Sequence, residues 1–211
     1  MSDEIKKTDN EKEELSEGVI AAAQAAPEEG SLIDDLLEWC EAFIMAIFVV
    51  ILIFIFFLRV VEVSGDSMND TLFNADRILI SHLNYTPKSG DIIVCNSDGL
   101  DKVIVKRCIG VAGDVVKVDY STGKVTVNGE EMDQSFIREP MIDSGNFDKT
   151  YKTGDTEYTY TVPEGTVFAM GDNRNHSTDC RWTSVGFIST DDILGKAVFR
   201  ILPFGSFGKI E

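Results

Sequence analysis

The chain changes its hydrophobic rhythm once, near residue 60. Before that point lies an unbroken apolar run, Ala42–Leu58, seventeen residues without a charge. That length is at the short end of what spans a bilayer, and Val60 and Val61 extend it past Arg59. No polar face is available to show to water, so a buried core helix is a poor reading. A cleaved leader fits no better, because the preceding region is acidic and no small-x-small site follows Leu58. The run predicts a retained transmembrane helix. Ser31 is placed to cap a short amphipathic lead-in through Leu32, Ile33, Leu36, Leu37 and Trp39, with Asp34 and Asp35 in its first turn.

After the span the period falls to two. Short β-branched segments are predicted as strands at Val60–Val63, Arg77–Ser81, Asp91–Cys95, Lys102–Gly110, Val115–Asp119, Lys124–Val127, Glu157–Val162, Thr166–Met170 and Lys196–Leu202. Turn residues separate them, among them Lys88-Ser89-Gly90-Asp91 and Asn128-Gly129. The expected fold is therefore mainly β: antiparallel sheets forming a partly closed barrel, preceded by one helix. Residues 138–156 are polar and read as a mobile loop or hairpin tip. The domain plan is a disordered acidic tail over 1–30, the lead-in and span over 31–59, and an all-β domain over 60–211.

Charge and composition narrow the function classes. The 211 residues carry a net charge of −17, with 13 acids against 4 bases in residues 1–59. Nucleic acid is an unsuitable partner for so acidic a chain. The four cysteines, Cys40, Cys95, Cys108 and Cys180, are widely spaced and form no C-x-x-C pair. Neither a zinc site nor a disulfide framework is expected, nor any other metal or cofactor.

Two residue types carry candidate chemistry. Lys106 shares strand parity with Ile104 and Cys108; if those face the core, so does the lysine. A buried lysine sheds its charge and can then accept a proton near neutral pH. Taken alone, a lysine at a solvated strand edge is the plainer reading. Ser67 lies in a turn after Gly65-Asp66, and a serine hydroxyl becomes nucleophilic only when a neighbouring base takes its proton. Ser-Lys dyads do this without histidine. His176 and His82 sit in short polar segments and read as solvated rather than catalytic.

Three segments taken together, Val61–Leu72 with its Ser67-Met68 pair, Asp101–Asp114 with Lys106-Arg107 before Ile109-Gly110-Val111-Ala112-Gly113-Asp114, and Met170–Arg181 with Gly171-Asp172-Asn173-Arg174-Asn175-His176-Ser177-Thr178-Asp179-Cys180-Arg181, resemble the motifs of type I signal peptidases, in the same order and after an anchor. The resemblance covers roughly residues 32–211. It implies a membrane-anchored serine endopeptidase that removes signal peptides from secreted preproteins after a small-x-small motif. It implies Ser67 as nucleophile, Lys106 as general base and Ser177 as the residue orienting the lysine. Asp172, Asn173, Asp179 and Arg181 are implied as supports. The Ser67 N–H is implied as an oxyanion donor, with Gly65 at the position where some members carry a second donor side chain. Val61, Val63, Met68, Leu72, Ile78 and Val105 are expected around the substrate. The chain departs from the family at Asp70, where proline is usual, at Val111-Ala112 for Leu-Pro, at Cys180 and at His176.

The resemblance also implies a bacterial cell-membrane protein with one pass, a cytoplasmic N-terminus and an extracytoplasmic catalytic domain. Its partners would be preprotein signal peptides, the bilayer and the secretion translocon. Read locally, Arg59 votes the other way under the positive-inside rule, and substrate chemistry decides for the outside. Two competing readings are a self-cleaving Ser-Lys peptidase of the same fold and an inactive membrane-tethered binding module. Such self-cleaving proteins carry a DNA-binding domain, which this anchored chain does not resemble. Val198–Gly208, with Phe199, Phe204 and Phe207, is a segment for either the membrane interface or the core.

Overall fold

The computed structural model describes residues 32–82 and 85–210. The acidic tail and the Ser31 cap lie outside them. The chain divides into two compact units, residues 1–50 and 51–211.

The lead-in and the span form one helix rather than two. Helix α1 runs Leu32–Phe57 over 26 residues, since nothing around Cys40 and Glu41 breaks it. At 1.5 Å per residue it is about 39 Å long. The most apolar stretch within Leu32–Ile53 has a mean hydropathy of 2.4, and none of it is buried. Phe43, Ile44 and Met45 face outward in a way that water would penalise and lipid would not.

The rest is β. Twelve strands are present among the described residues: β1 Leu58–Glu62, β2 Arg77–Ser81, β3 Ile92–Ser97, β4 Lys102–Val111, β5 Val115–Asp119, β6 Lys124–Val127, β7 Glu130–Glu131, β8 Glu157–Thr161, β9 Thr166–Met170, β10 Ile188–Ser189, β11 Ile193–Leu202 and β12 Gly208–Lys209. The larger sheet has the order β1-β2-β11-β3-β4-β9-β10, with β12 on β11; the smaller is β7-β6-β5-β8. Every pairing is antiparallel, as the alternating pattern predicts. Neither sheet closes into a barrel among the described residues. The β6–β7 hairpin turns at Asn128 and Gly129, whose φ of 54° and 88° suit an Asn-Gly pair.

Strand β4 positions the site. Its first half pairs with β3 alone, from Lys102↔Ser97 to Lys106↔Ile93, and its second half pairs with β9 from Arg107↔Met170. The side of Lys102–Lys106 that β9 would cover therefore has no strand partner among the described residues. A bulge between Cys108 and Gly110 turns Ile109 to the same core as Cys108. That larger core joins Ile104, Cys108, Val116, Val118, Tyr158, Tyr160 and Phe168 across the two sheets. A second core of Val63, Met68, Leu72, Ile78, Ile80, Val94, Val105 and Ala197 lies on the other side of β4. The parity reading holds for Ile104, Lys106 and Cys108, and the opposite side of the strand is buried as well.

The segment 138–156 differs from its polar reading. Met141 and Phe147 are buried, and Phe147 stacks on Tyr120 with ring centroids 5.3 Å apart. The Asp148 N–H donates to the Arg181 carbonyl at 2.9 Å, and the Ile142 N–H to Asn175 Oδ1 at 2.9 Å. The segment is a strap fastened by isolated apolar residues, which produce no periodic signal. Phe204 and Phe207 are exposed, so they are not core aromatics; Phe207 packs edge-on against Phe199.

Candidate active site

Ser67 opens a tight turn after β1. The Leu72 N–H donates to the Met68 carbonyl at 2.8 Å, and the Asn69 N–H to Asp66 O at 3.2 Å. Met68 and Leu72 anchor the turn in the second core. Lys106 approaches from β4, and its Nζ lies 2.7 Å from Ser67 Oγ. The same amine donates to the Val105 carbonyl at 2.9 Å. Lys106 is 3% exposed. Burial drives its pKa below the ordinary lysine value, against the opposing pull of Asp179, which favours the cation. An amine so placed can be neutral and can take the hydroxyl proton.

The loop after β9 closes over this pair. The Asn173 N–H donates to Ser67 O at 3.0 Å, and its Nδ2 donates to Asp66 O at 3.0 Å. Asp172, fully buried, accepts from Arg107 Nε at 2.9 Å and Nη2 at 2.8 Å, and from Thr71 Oγ1 at 2.6 Å. Arg107 also stacks on Phe136, 3.9 Å from the ring centre. Asp179 and Arg181 form a second buried pair, with Nε–Oδ1 at 2.8 Å and Nη2–Oδ2 at 2.9 Å. Burial pushes the Asp179 carboxyl up, and the Arg181 charge and hydrogen bonds outweigh it, so its pKa is lowered. Asp179 Oδ2 also receives the Gly171 N–H at 3.0 Å, and Arg181 Nη2 donates to Arg174 O at 2.6 Å. The two pairs fix the loop at both ends.

Several implied roles meet a different geometry. The Ser177 hydroxyl is buried and makes no hydrogen bond to Lys106. It sits near enough to Asp179 to help hold that carboxylate ionised. Its backbone is held by Trp182 Nε1, which donates to Ser177 O at 3.0 Å. Gly65 does not offer a free N–H to an oxyanion, because that N–H donates to Asn74 Oδ1 at 2.8 Å. The backbone N–H of Ser67 makes no hydrogen bond among the described residues.

A cleft of about 250 Å³ leads to Ser67 and Lys106. Val63, Met68 and Val105 line it, with Ser64, Gly65, Asp66, Leu100 and Ile104. Val61 packs on the second core outside the cleft, and Leu72 and Ile78 are wholly buried behind its wall, so these three back the pocket rather than touch its space. His176 and Thr178 stand on the cleft wall, a placement that the polar character of their loop did not suggest; His82 is not among the lining residues. Arg200 was missed from the sequence altogether, and Thr71 and Gly171 lie in the motif segments without a role of their own having been read there. A Cβ built on Gly171 would lie 2.5 Å from Ser67 O and 2.3 Å from Ser177 Oγ, so the backbone can pass there only without a side chain. All four cysteines are free thiols, with Cys95, Cys108 and Cys180 buried.

The sequence profile of the family described as "Signal peptidase, peptidase S26" matches residues 36–202. The chain belongs to this family. It is 33% identical over 164 residues to signal peptidase I P of Bacillus subtilis subsp. natto, covering 76% of this chain and 86% of that protein. It is 29% identical over 190 residues to signal peptidase IB of Staphylococcus aureus, covering 82% and 93%. A crystal structure of a signal peptidase I from Enterococcus faecalis is 27% identical and covers 53% of this chain and 97% of that one, with a TM-score of 0.41. Family membership makes this peptidase a hydrolase of signal-peptide processing.

Proposed function

We propose that this signal peptidase is a membrane-anchored endopeptidase that cuts preproteins after a small-x-small motif by a Ser67–Lys106 dyad. The observation that carries the reading is the 2.7 Å approach of a buried, charge-averse amine to the hydroxyl of Ser67. Neutral Lys106 accepts the Ser67 proton as Oγ attacks the scissile carbonyl. The unengaged Ser67 N–H stabilises the oxyanion. The resulting ammonium returns its proton to the leaving amine, which departs and leaves an ester on Ser67. Lys106, neutral again, then deprotonates a water that attacks this ester and frees the enzyme. Asn173, Asp172, Asp179 and Arg181 hold the two reacting groups in register. Ser177 shapes the wall behind them.

The substrate backbone fits as an added strand against the open side of Lys102–Lys106. The Cys108 N–H points toward Asp91, so alternation aims the main-chain groups of Val103 and Val105 at the cleft. Val63, Met68 and Val105 leave room for a small residue before the cut. The catalytic unit lies outside the cytoplasm with residues 1–30 inside, because Ser67 follows Arg59 by eight residues and must meet cleavage sites emerging from the bilayer. Phe204 and Phe207 rest in the membrane interface. The secretion translocon is the source of the substrate chain.

The test is incubation of detergent-solubilised enzyme with a preprotein carrying one small-x-small site. A fixed-site cut is expected from the native chain and none from Ser67→Ala or Lys106→Ala. Cleavage that survives Lys106→Ala overturns the base assignment. Protease treatment of intact cells checks the topology: residues 60–211 are expected to be degraded, and their protection overturns the orientation.

A further inference from the structure

The turn that carries Ser67 is held from its far end by a residue outside every motif. The turn's closing carbonyls have no partner within it, as at any helical C-terminus. Arg200, on β11, supplies one. Its Nη2 donates to Thr71 O, and its Nε forms an ion pair with Asp76 Oδ2 at 3.2 Å. Asp76 Oδ2 also accepts the Phe73 N–H at 2.9 Å, which fixes the carboxylate that receives Arg200. The Arg200 side chain is 15% exposed and that of Asp76 5%, so neither swings freely in water.

Thr71 is consequently gripped twice. Its carbonyl oxygen is held by Arg200 from β11, and its hydroxyl donates to Asp172, which is held by Arg107, the residue that follows Lys106 on β4. A polar chain runs Arg200–Thr71–Asp172–Arg107, and its two ends are on different strands of the large sheet. The first end fixes the turn bearing the nucleophile; the second belongs to the strand bearing the base.

We propose that Arg200 is a positioning residue for Ser67, acting through Thr71 to set the Oγ–Nζ separation. The inference rests on the dyad reading. The guanidinium matters for its geometry as well as its charge, since one nitrogen donates to the Thr71 carbonyl while the charge is paired with Asp76. Lysine preserves the charge without the planar guanidinium. Glutamine removes the charge.

The experiment measures kcat and KM for a preprotein peptide with detergent-solubilised native chain, Arg200→Gln, Arg200→Lys, Thr71→Val, the Gln/Val double variant and Ser67→Ala. Arg200→Gln is expected to lower kcat on the order of 10- to 100-fold, as small misplacements of reacting groups do, with KM within about twofold. Arg200→Lys is expected to recover part of the loss. The double variant is expected to fall short of the product of the two single effects, because both substitutions release the same residue. Assays are run at equal distances below each variant's melting temperature, so that simple destabilisation is matched out. An Arg200→Gln enzyme with native kcat, or a kcat loss that disappears under that matching, overturns the positioning role while leaving the dyad intact. Cleavage persisting in Ser67→Ala overturns the dyad reading and the positioning role together.

Discussion

The carbonyl oxygen of Ser67 accepts the Asn173 N–H at 3.0 Å, so the proposed nucleophile is fastened by its own backbone to the loop that follows β9. Two residues before Asn173, Gly171 passes so close to that same oxygen that a Cβ built on it would lie 2.5 Å away.

Gly171→Ala would therefore force the two loops apart. The loss in kcat is expected to be on the order of 100-fold, since a shift near 1 Å between reacting groups is enough for that. Overpacking is expected to cost about 1–3 kcal/mol of stability. Peptide cleavage and thermal melting of the variant check both, and native kcat in Gly171→Ala refutes the steric argument.

The pH dependence follows from Lys106. Burial lowers its pKa, and only the neutral amine is competent, so kcat/KM is expected to fall on the acid side as the amine protonates. Stability runs the same way. Between the lowered folded pKa and the unfolded value of about 10.4, unfolding takes up a proton, and stability rises with pH. Lys106→Met is expected to abolish cleavage and to remove that slope from denaturant midpoints measured across the window. An unchanged slope counts against a neutral buried amine.

The Asp179–Arg181 pair is wholly buried, and removing one member strands the other. Asp179→Ala is expected to cost about 3–5 kcal/mol. The lowered Asp179 pKa contributes stability above the ordinary carboxylate pKa of about 3.9, lost as pH falls through the folded value. Urea titrations of both proteins at neutral and acid pH would show the gap narrowing in acid; a gap independent of pH contradicts the assignment.

Ser177 lacks a directed bond to Lys106, so Ser177→Ala is expected to reduce kcat by about tenfold rather than abolish it, in the range of a single removed hydrogen-bonding group. Total loss would assign the hydroxyl a direct part in proton transfer.

Most strands were legible because each half-buried strand alternates. Arg77–Ser81, Val115–Asp119 and Lys124–Val127 occur with the bounds their patterns predict, and Thr166–Met170, buried almost throughout, occurs with the bounds of its short apolar run. Two-residue strands such as Ile188–Ser189 are too short to have a period. The bulge at Ile109 is invisible in a continuous apolar run, which reads alike with or without an extra residue. Around the site, Ser67 and Lys106 stood out through recognisable neighbours in sequence. Thr71 and Arg200 did not, because their contact joins residues 129 positions apart and no local pattern encodes it. Gly171 carried no warning either: its small size matters only through what the fold brings against it.

An exposed β4 margin ending at Lys106 has a consequence for the breadth of the enzyme's clientele. Amide groups repeat identically in every polypeptide, so a guest chain aligned by its main chain needs little shared wording in its side chains. Discrimination then falls to the few positions that enter the cleft. Under the proposed function, leaders of unrelated sequence would use one docking rail, provided that a small residue reached Ser67.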